Sequence, residues 1–156
     1  MIKYLYFSNN ISNDKQEIID KVVDKLLTTY EFHYDKVRPS SGIKIKYILN
    51  NFIFNSLRVK ESKNKQIMFT LDNNFFAKKH IMNGSVCKLP YSYSLFKKVI
   101  EMLNYEGYIQ VNKGGDFKYH EHVDKDGVVW QIVDGRKSSV MSIMEPTLQL
   151  IEELLS

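Results

Sequence analysis

Residues 89–111, LPYSYSLFKKVIEMLNYEGYIQV, decide how the rest of the chain is read. Pro90, Ser92 and Ser94 mark a helix start, because a serine just before the first turn can accept a hydrogen bond from an N–H that has no partner inside the helix. Leu95, Val99, Ile100 and Leu103 recur at helical spacing and form one apolar face. Ser94, Lys97, Lys98, Glu101 and Asn104 fall on the other side. Gly107 stands where a helix end needs a residue tolerant of positive φ. Tyr108, Ile109, Gln110 and Val111 read as a strand, which Lys113-Gly114-Gly115 is expected to break. Two readings fit. One is a core helix beside a β-hairpin. The other is a helix that presents its polar face and N-terminal residues to the major groove of DNA.

The whole sequence bounds the choice. Its 156 residues suit one domain with a real core, and 44% apolar with 26% charged residues is the balance of a soluble globular protein. Cys87 is the one cysteine, so no intrachain disulfide can form. No run of 18 apolar residues and no signal-peptide pattern occur, so a cytoplasmic protein with no membrane partner is expected.

Charge is unevenly spread. Residues 36–98 hold 13 Lys or Arg and 2 acids, a net charge of +11, against −2 for residues 1–35 and −5 for residues 99–156. A basic block of this kind is the electrostatic footprint of a polyanion partner, and nucleic acid is the expected one. No basic amphipathic segment with an aromatic face argues for a lipid surface instead.

Outward from the decisive stretch, the elements follow in order. Residues 2–7 form a short β-prone run. Ile18, Ile19, Val22, Val23, Leu26, Leu27 and Tyr30 mark an acidic amphipathic helix, suited to a core or a dimer interface. Residues 37–42, VRPSSG, read as a turn with Ser40 or Ser41 as a cap. Ile45, Ile48, Leu49, Phe52, Ile53 and Leu57 mark a second helix. Residues 66–71 read as a strand, and 78–88 as irregular. Asp124-Lys125-Asp126-Gly127 lies between two β-prone runs and signals a hairpin. Residues 140–144 return as a strand, and Glu145-Pro146-Thr147 opens a last helix.

Taken together, the chain resembles the winged-helix DNA-binding domain of replication initiator (Rep) proteins of plasmids, phages and phage satellites. KIKYILNNF (44–52) resembles the helix before the recognition unit. Residues 89–109 resemble the recognition helix running into the wing. GRKSSVMSIMEPTLQLI (135–151) resembles the second wing strand, the Pro-Thr turn and the closing helix. MarR-like regulators share this grammar. The resemblance implies an α+β fold: a winged helix-turn-helix core over 43–156, an extended β-hairpin wing, and an added N-terminal strand and helix over 1–35. The hairpin 117–133 departs from the pattern in being acidic.

The implied function is sequence-specific binding of double-stranded DNA. The expected role is origin recognition by the replication initiator of a mobile genetic element; a MarR-like transcription regulator is the alternative. The expected partners are DNA, a second copy through the N-terminal helix, and replication machinery reached through a domain outside this sequence. No enzyme activity and no cofactor are expected.

The candidate DNA contacts are Ser92, Tyr93, Ser94, Lys97 and Lys98 at the start of the recognition helix. Lys44, Lys46, Lys78, Lys79 and Lys88 are candidates for holding the phosphate backbone, and Lys113, Arg136 and Lys137 for contacts from the wing. For each lysine the plain alternative is a solvated surface charge. His120 and His122 share one face of a strand, the spacing a rolling-circle nickase uses to hold a divalent metal. Here Glu121 separates them, no Tyr-x-x-x-Lys follows, and no third acidic ligand can be placed. Two surface histidines are the expected reading, and the site is expected to hold no metal.

Overall fold

Two long helices lead into the core. The structure, a computed structural model, describes residues 3–4, 13–59, 65–69, 76, 79–82, 85–116, 119–133 and 137–155. Helix α1 (Asn13–Tyr34) buries Ile19, Val22, Val23, Leu26 and Tyr30, the stripe its spacing predicts. That stripe packs within the chain, against α2 (Pro39–Val59) and the C-terminal helix. Between α1 and α2 the chain turns at Asp35, which takes a φ of 75°.

The expected turn over 37–42 is shorter than its composition suggests. Proline suits the first position of a helix, where its missing N–H costs nothing, and α2 starts at Pro39. Gly42 already lies inside the first turn, its N–H donating to the Arg38 carbonyl at 2.8 Å.

Helix α2 buries Ile45, Ile48, Leu49, Phe52 and Ile53. It also buries polar groups. Asn55 Nδ2 donates to the Asn51 carbonyl at 2.7 Å and Ser56 Oγ to the Phe52 carbonyl at 2.8 Å. The Asn51 side chain is 1% exposed, and neither its Nδ2 nor its Oδ1 has a hydrogen-bond partner. Losing water without gaining a partner costs an amide free energy. Asn51→Leu is therefore expected to raise stability by about 1–2 kcal/mol in urea denaturation, with the slope against denaturant unchanged.

The sheet is small. Strand β1 (Lys3–Tyr4) runs parallel to β2 (Gln66–Phe69); β2 pairs antiparallel with β8 (Lys137–Ile143), and β8 with β5 (Ile109–Asp116), so the order is β1-β2-β8-β5. Ile67 faces Met141 and Met141 faces Val111 across the ladders, while Ile109 faces Ile143. Alternate residues share one face of a strand, which puts these side chains on the core side. Ile67, Met141, Ile109 and Ile143 are buried.

Two hairpins extend from this frame. Within the stretch 78–88, expected to be irregular, residues 79–82 and 85–88 pair as β3 (Lys79–Met82) and β4 (Ser85–Lys88). The pattern KHIM–SVCK alternates too little to announce strands, and the pairing of the two segments supplies what periodicity does not. The second hairpin, β6 (Tyr119–Val123) with β7 (Val129–Val133), closes as its Asp-Gly signal predicts. Asp124 Oδ1 accepts from the N–H groups of Asp126 (2.9 Å) and Val128 (3.0 Å), and Gly127 takes a φ of 76°.

Lys113-Gly114-Gly115 is the expected end of the strand after the decisive helix. Instead β5 continues through it to Asp116, and the register against β8 shifts between Lys113 and Asp116. Glycine tolerates such a bulge, so the pair bends the strand without ending it.

Helix α3 (Tyr93–Tyr105) follows β4, and α4 (Glu145–Leu155) follows β8. The end of α3 closes through two bonds. Gly107 N–H donates to the Asn104 carbonyl (3.1 Å) and Tyr108 N–H to the Leu103 carbonyl (3.0 Å), with Gly107 at a φ of 77°. A Cβ at Gly107 would meet nothing within 4 Å. The cost of Gly107→Ala is therefore conformational alone, and a loss of about 1–2 kcal/mol is expected in thermal or urea denaturation. Gly107→Asn should lose less, because asparagine tolerates this region.

The Tyr108 carbonyl then accepts from Met144 N–H (3.0 Å) and from Thr147 Oγ1 (2.5 Å), which ties the exit of α3 to the start of α4. Among the described residues the fold is α+β, with four helices and a small sheet in which β2, β8 and β5 pair antiparallel. It is compatible with a winged helix at a coarse level. No helix among the described residues is long and apolar enough to cross a membrane.

Candidate nucleic-acid interface

Helix α3 is built with two unlike faces. Ser92 caps it: extended backbone (φ −86°, ψ 161°) lets Ser92 Oγ accept from Leu95 N–H at 3.2 Å. Phe96, Val99, Ile100, Met102 and Leu103 are buried. Phe96 and Met102 widen the apolar face beyond the four residues that spacing singles out. Ser94, Lys97, Lys98, Glu101 and Asn104 are all exposed, as that spacing predicts.

The inner face is locked by rings. Phe96 stacks on Tyr91 (centroids 5.8 Å, planes 18° apart) and meets Phe76 at 5.3 Å and Phe69 at 5.9 Å. Burial holds the Tyr91 hydroxyl well above the usual tyrosine pKa. Tyr93, a candidate contact, is half-buried with its ring edge-on to Phe76 at 5.9 Å, so much of that ring serves packing.

The end of α1 clasps the outer flank of α3. His33 Nε2 and Glu106 Oε1 lie 2.5 Å apart, and Tyr34 Oη donates to the Lys98 carbonyl at 3.3 Å. The Lys98 ammonium sits over the Tyr34 ring, 5.8 Å from its centroid. These contacts fix the pitch of α3 against α1.

A cleft of about 280 Å³ opens between the first turns of α2 and α3, lined by Ser41, Lys44, Ser92, Ser94, Leu95 and Lys98. Four of these, Lys44, Ser92, Ser94 and Lys98, are candidates from the sequence. Ser41 is expected from the sequence only as a cap; the signal for its position here, a serine in the first turn of a basic helix, has no meaning until α2 is set against α3. Neither first turn contains an acidic residue. Helix N-termini carry partial positive charge and unsatisfied N–H groups, so the cleft suits an anion.

No protein-family model, no curated protein and no solved structure matches this chain. Its function is therefore to be read from its own residues.

The remaining candidates lie apart from the cleft. Lys97 is exposed on α3 but does not line it. Lys46 points to the other side of α2 and pairs with Asp24 of α1 at 3.0 Å, so its charge is partly neutralised. Lys88 is exposed at the end of β4, and Lys79 is its partner across the hairpin ladder. Lys113 stands opposite Ser139, and Lys137 opposite Asp116, both within the β5–β8 ladder, so neither occupies a turn at the tip. Lys78 and Arg136 lie outside the described residues.

His122 is exposed on β6, and His120 stands two positions before it in the same strand. Among the described residues no group of three His, Cys, Asp or Glu is placed to hold a metal ion.

Proposed function

We propose that this chain is a sequence-specific double-stranded DNA-binding domain of winged-helix type, with α3 as the helix that enters the major groove. The observation that carries the reading is the exposed polar face of α3, starting at a cleft with two lysines, three serine hydroxyls and no acid. Charge at a helix start can hold phosphates while the face beyond it meets base edges.

The order of elements supports the same reading. Helix α2 precedes β2, α3 precedes β5, and β8 closes the sheet between β2 and β5. The excursion between β5 and β8, with the β6–β7 hairpin, takes the place of a wing. Its turn carries Asp124 and Asp126, so it is a poor phosphate contact, and recognition rests on α3 and the cleft. The described residues just before α3 form the β3–β4 hairpin, so the helix-turn-helix of this proposal has a hairpin close to its recognition helix.

Within that reading, the role is origin recognition by a replication initiator of a mobile element, acting without catalysis. The resemblance set out above is its support. A MarR-like regulator is the alternative served by the same element order. Because the apolar stripe of α1 is buried within the chain, a dimer would form through another surface.

Fluorescence anisotropy with labelled duplexes from the DNA around the gene tests this. Binding should fall linearly in log–log terms with salt, and a unique fragment should outcompete random duplex. A preferred site made of direct repeats favours the initiator, and an inverted repeat favours the regulator. Equal affinity for every duplex would remove the sequence-specific reading.

A further inference from the structure

We propose that the cleft between α2 and α3 is a phosphate-anchoring site in which Lys44 and Lys98 share one phosphate group, a task in which the neighbouring Lys97 takes no part. The source of that phosphate as a DNA backbone rests on the reading given under Proposed function. The cleft itself does not.

The lining decides the class of ligand. At about 280 Å³ the cleft stands at the lower edge of the small-molecule range, and Leu95 is the one apolar residue lining it. An apolar ligand or a full cofactor would find little surface. A tetrahedral anion would find two lysines and three serines in the lining, residues whose polar groups donate hydrogen bonds. Ser92 Oγ already accepts from Leu95 N–H, and its own hydrogen remains available to donate.

The charges point the same way. Lys44 and Lys98 come from different helices and face one concavity, where two like charges repel unless an anion lies between them. Among the described residues neither forms an ion pair, whereas Lys46, on the same helix as Lys44, is matched by Asp24. Lys46 is matched by a carboxylate of α1, whereas Lys98 meets only the face of the Tyr34 ring and, among the described residues, neither Lys44 nor Lys98 is neutralised by an acid.

Geometry separates the paired lysines of α3. Lys98 is held toward α1 by the Tyr34 ring, on the flank that meets the cleft. Lys97 is one residue away, about 100° around the helix, in line with Glu101 and Asn104. Lys98 therefore positions the domain on a phosphate, and Lys97 stands on the ridge that meets the groove floor. A clamp joining two helices also sets the angle at which α3 enters.

The test uses the full chain with Lys44→Gln, Lys98→Gln, the double variant and Lys97→Gln. Amide resonances are followed during titration with inorganic phosphate, and duplex affinity is measured by anisotropy. Phosphate should give saturable shifts at Ser41, Ser92 and Ser94 that vanish in the double variant and persist in Lys97→Gln. On DNA, Lys44→Gln and Lys98→Gln should each cost roughly tenfold, and together roughly thirtyfold where independent sites would multiply to about a hundredfold. Lys97→Gln should multiply with either.

Shifts at these serines in a protein that binds no duplex would keep the anchoring site, assign it to a free or terminal phosphate, and discard the DNA reading. Duplex binding with fully multiplicative losses, and no phosphate shift, would overturn the anchoring site and leave the DNA reading standing.

Discussion

Replacing Lys97 and Lys98 together by alanine is expected to weaken duplex binding by roughly 30- to 100-fold near physiological salt, and to flatten the slope of log affinity against log salt by up to about 2. Both side chains are exposed on α3, so neither supports the core. Within the chain, the change takes the Lys98 ammonium away from the Tyr34 ring, an interaction of about 0.5–1 kcal/mol at an exposed site. Thermal denaturation should therefore shift little while binding falls steeply. That separation distinguishes a weakened DNA interface from a damaged fold. Unchanged affinity in a folded double variant would show that α3 does not meet the DNA.

The second large effect lies on the other face of the same helix. Phe96→Ala is expected to cost about 3–5 kcal/mol in urea denaturation, through lost burial and the cavity left behind. Phe96 is 0% exposed, with Phe69, Phe76 and Tyr91 all within 6 Å between ring centroids. The four rings come from α3, β2, residue 76 and the segment entering α3, so no single neighbour can collapse into the gap. Against a typical domain stability of about 5–15 kcal/mol, the variant should be close to unfolding. Phe32→Ala supplies the contrast. With Phe32 89% exposed near the end of α1, its removal should stay within about 0.5 kcal/mol. A loss as large as that of Phe96→Ala would mean that Phe32 is buried in solution by a partner.

The two variants probe one design. The inner side of α3 is held by aromatic packing and its ends by a serine cap and a glycine stop. With the backbone of α3 held in this way, binding would cost only the freedom of its outer side chains, which suits the proposed groove-reading role.

Local chemistry made much of this legible in advance. The apolar stripes of α1, α2 and α3, the Ser92 cap, the Gly107 stop and the Asp-Gly hairpin each depend on residues within a few positions of one another, and the exposed row Ser94, Lys97, Lys98, Glu101 and Asn104 follows from helical spacing alone. Other features depend on distant partners. Strand β5 passes through Gly114-Gly115 because β8 continues to pair with it, and residues 79–82 and 85–88 become strands by pairing with each other. Lys44 and Lys46, two residues apart, have different fates because one faces the start of α3 and the other faces Asp24.

The sequence by itself therefore determined which segments are helices and which side of each is apolar, since periodicity and capping act over one or two turns. Tertiary structure alone decided which cations converge. Bringing Ser41 and Lys44 beside Ser94 and Lys98 requires two helices about 50 residues apart to be packed at one angle, and that angle is set by the shared core beneath them.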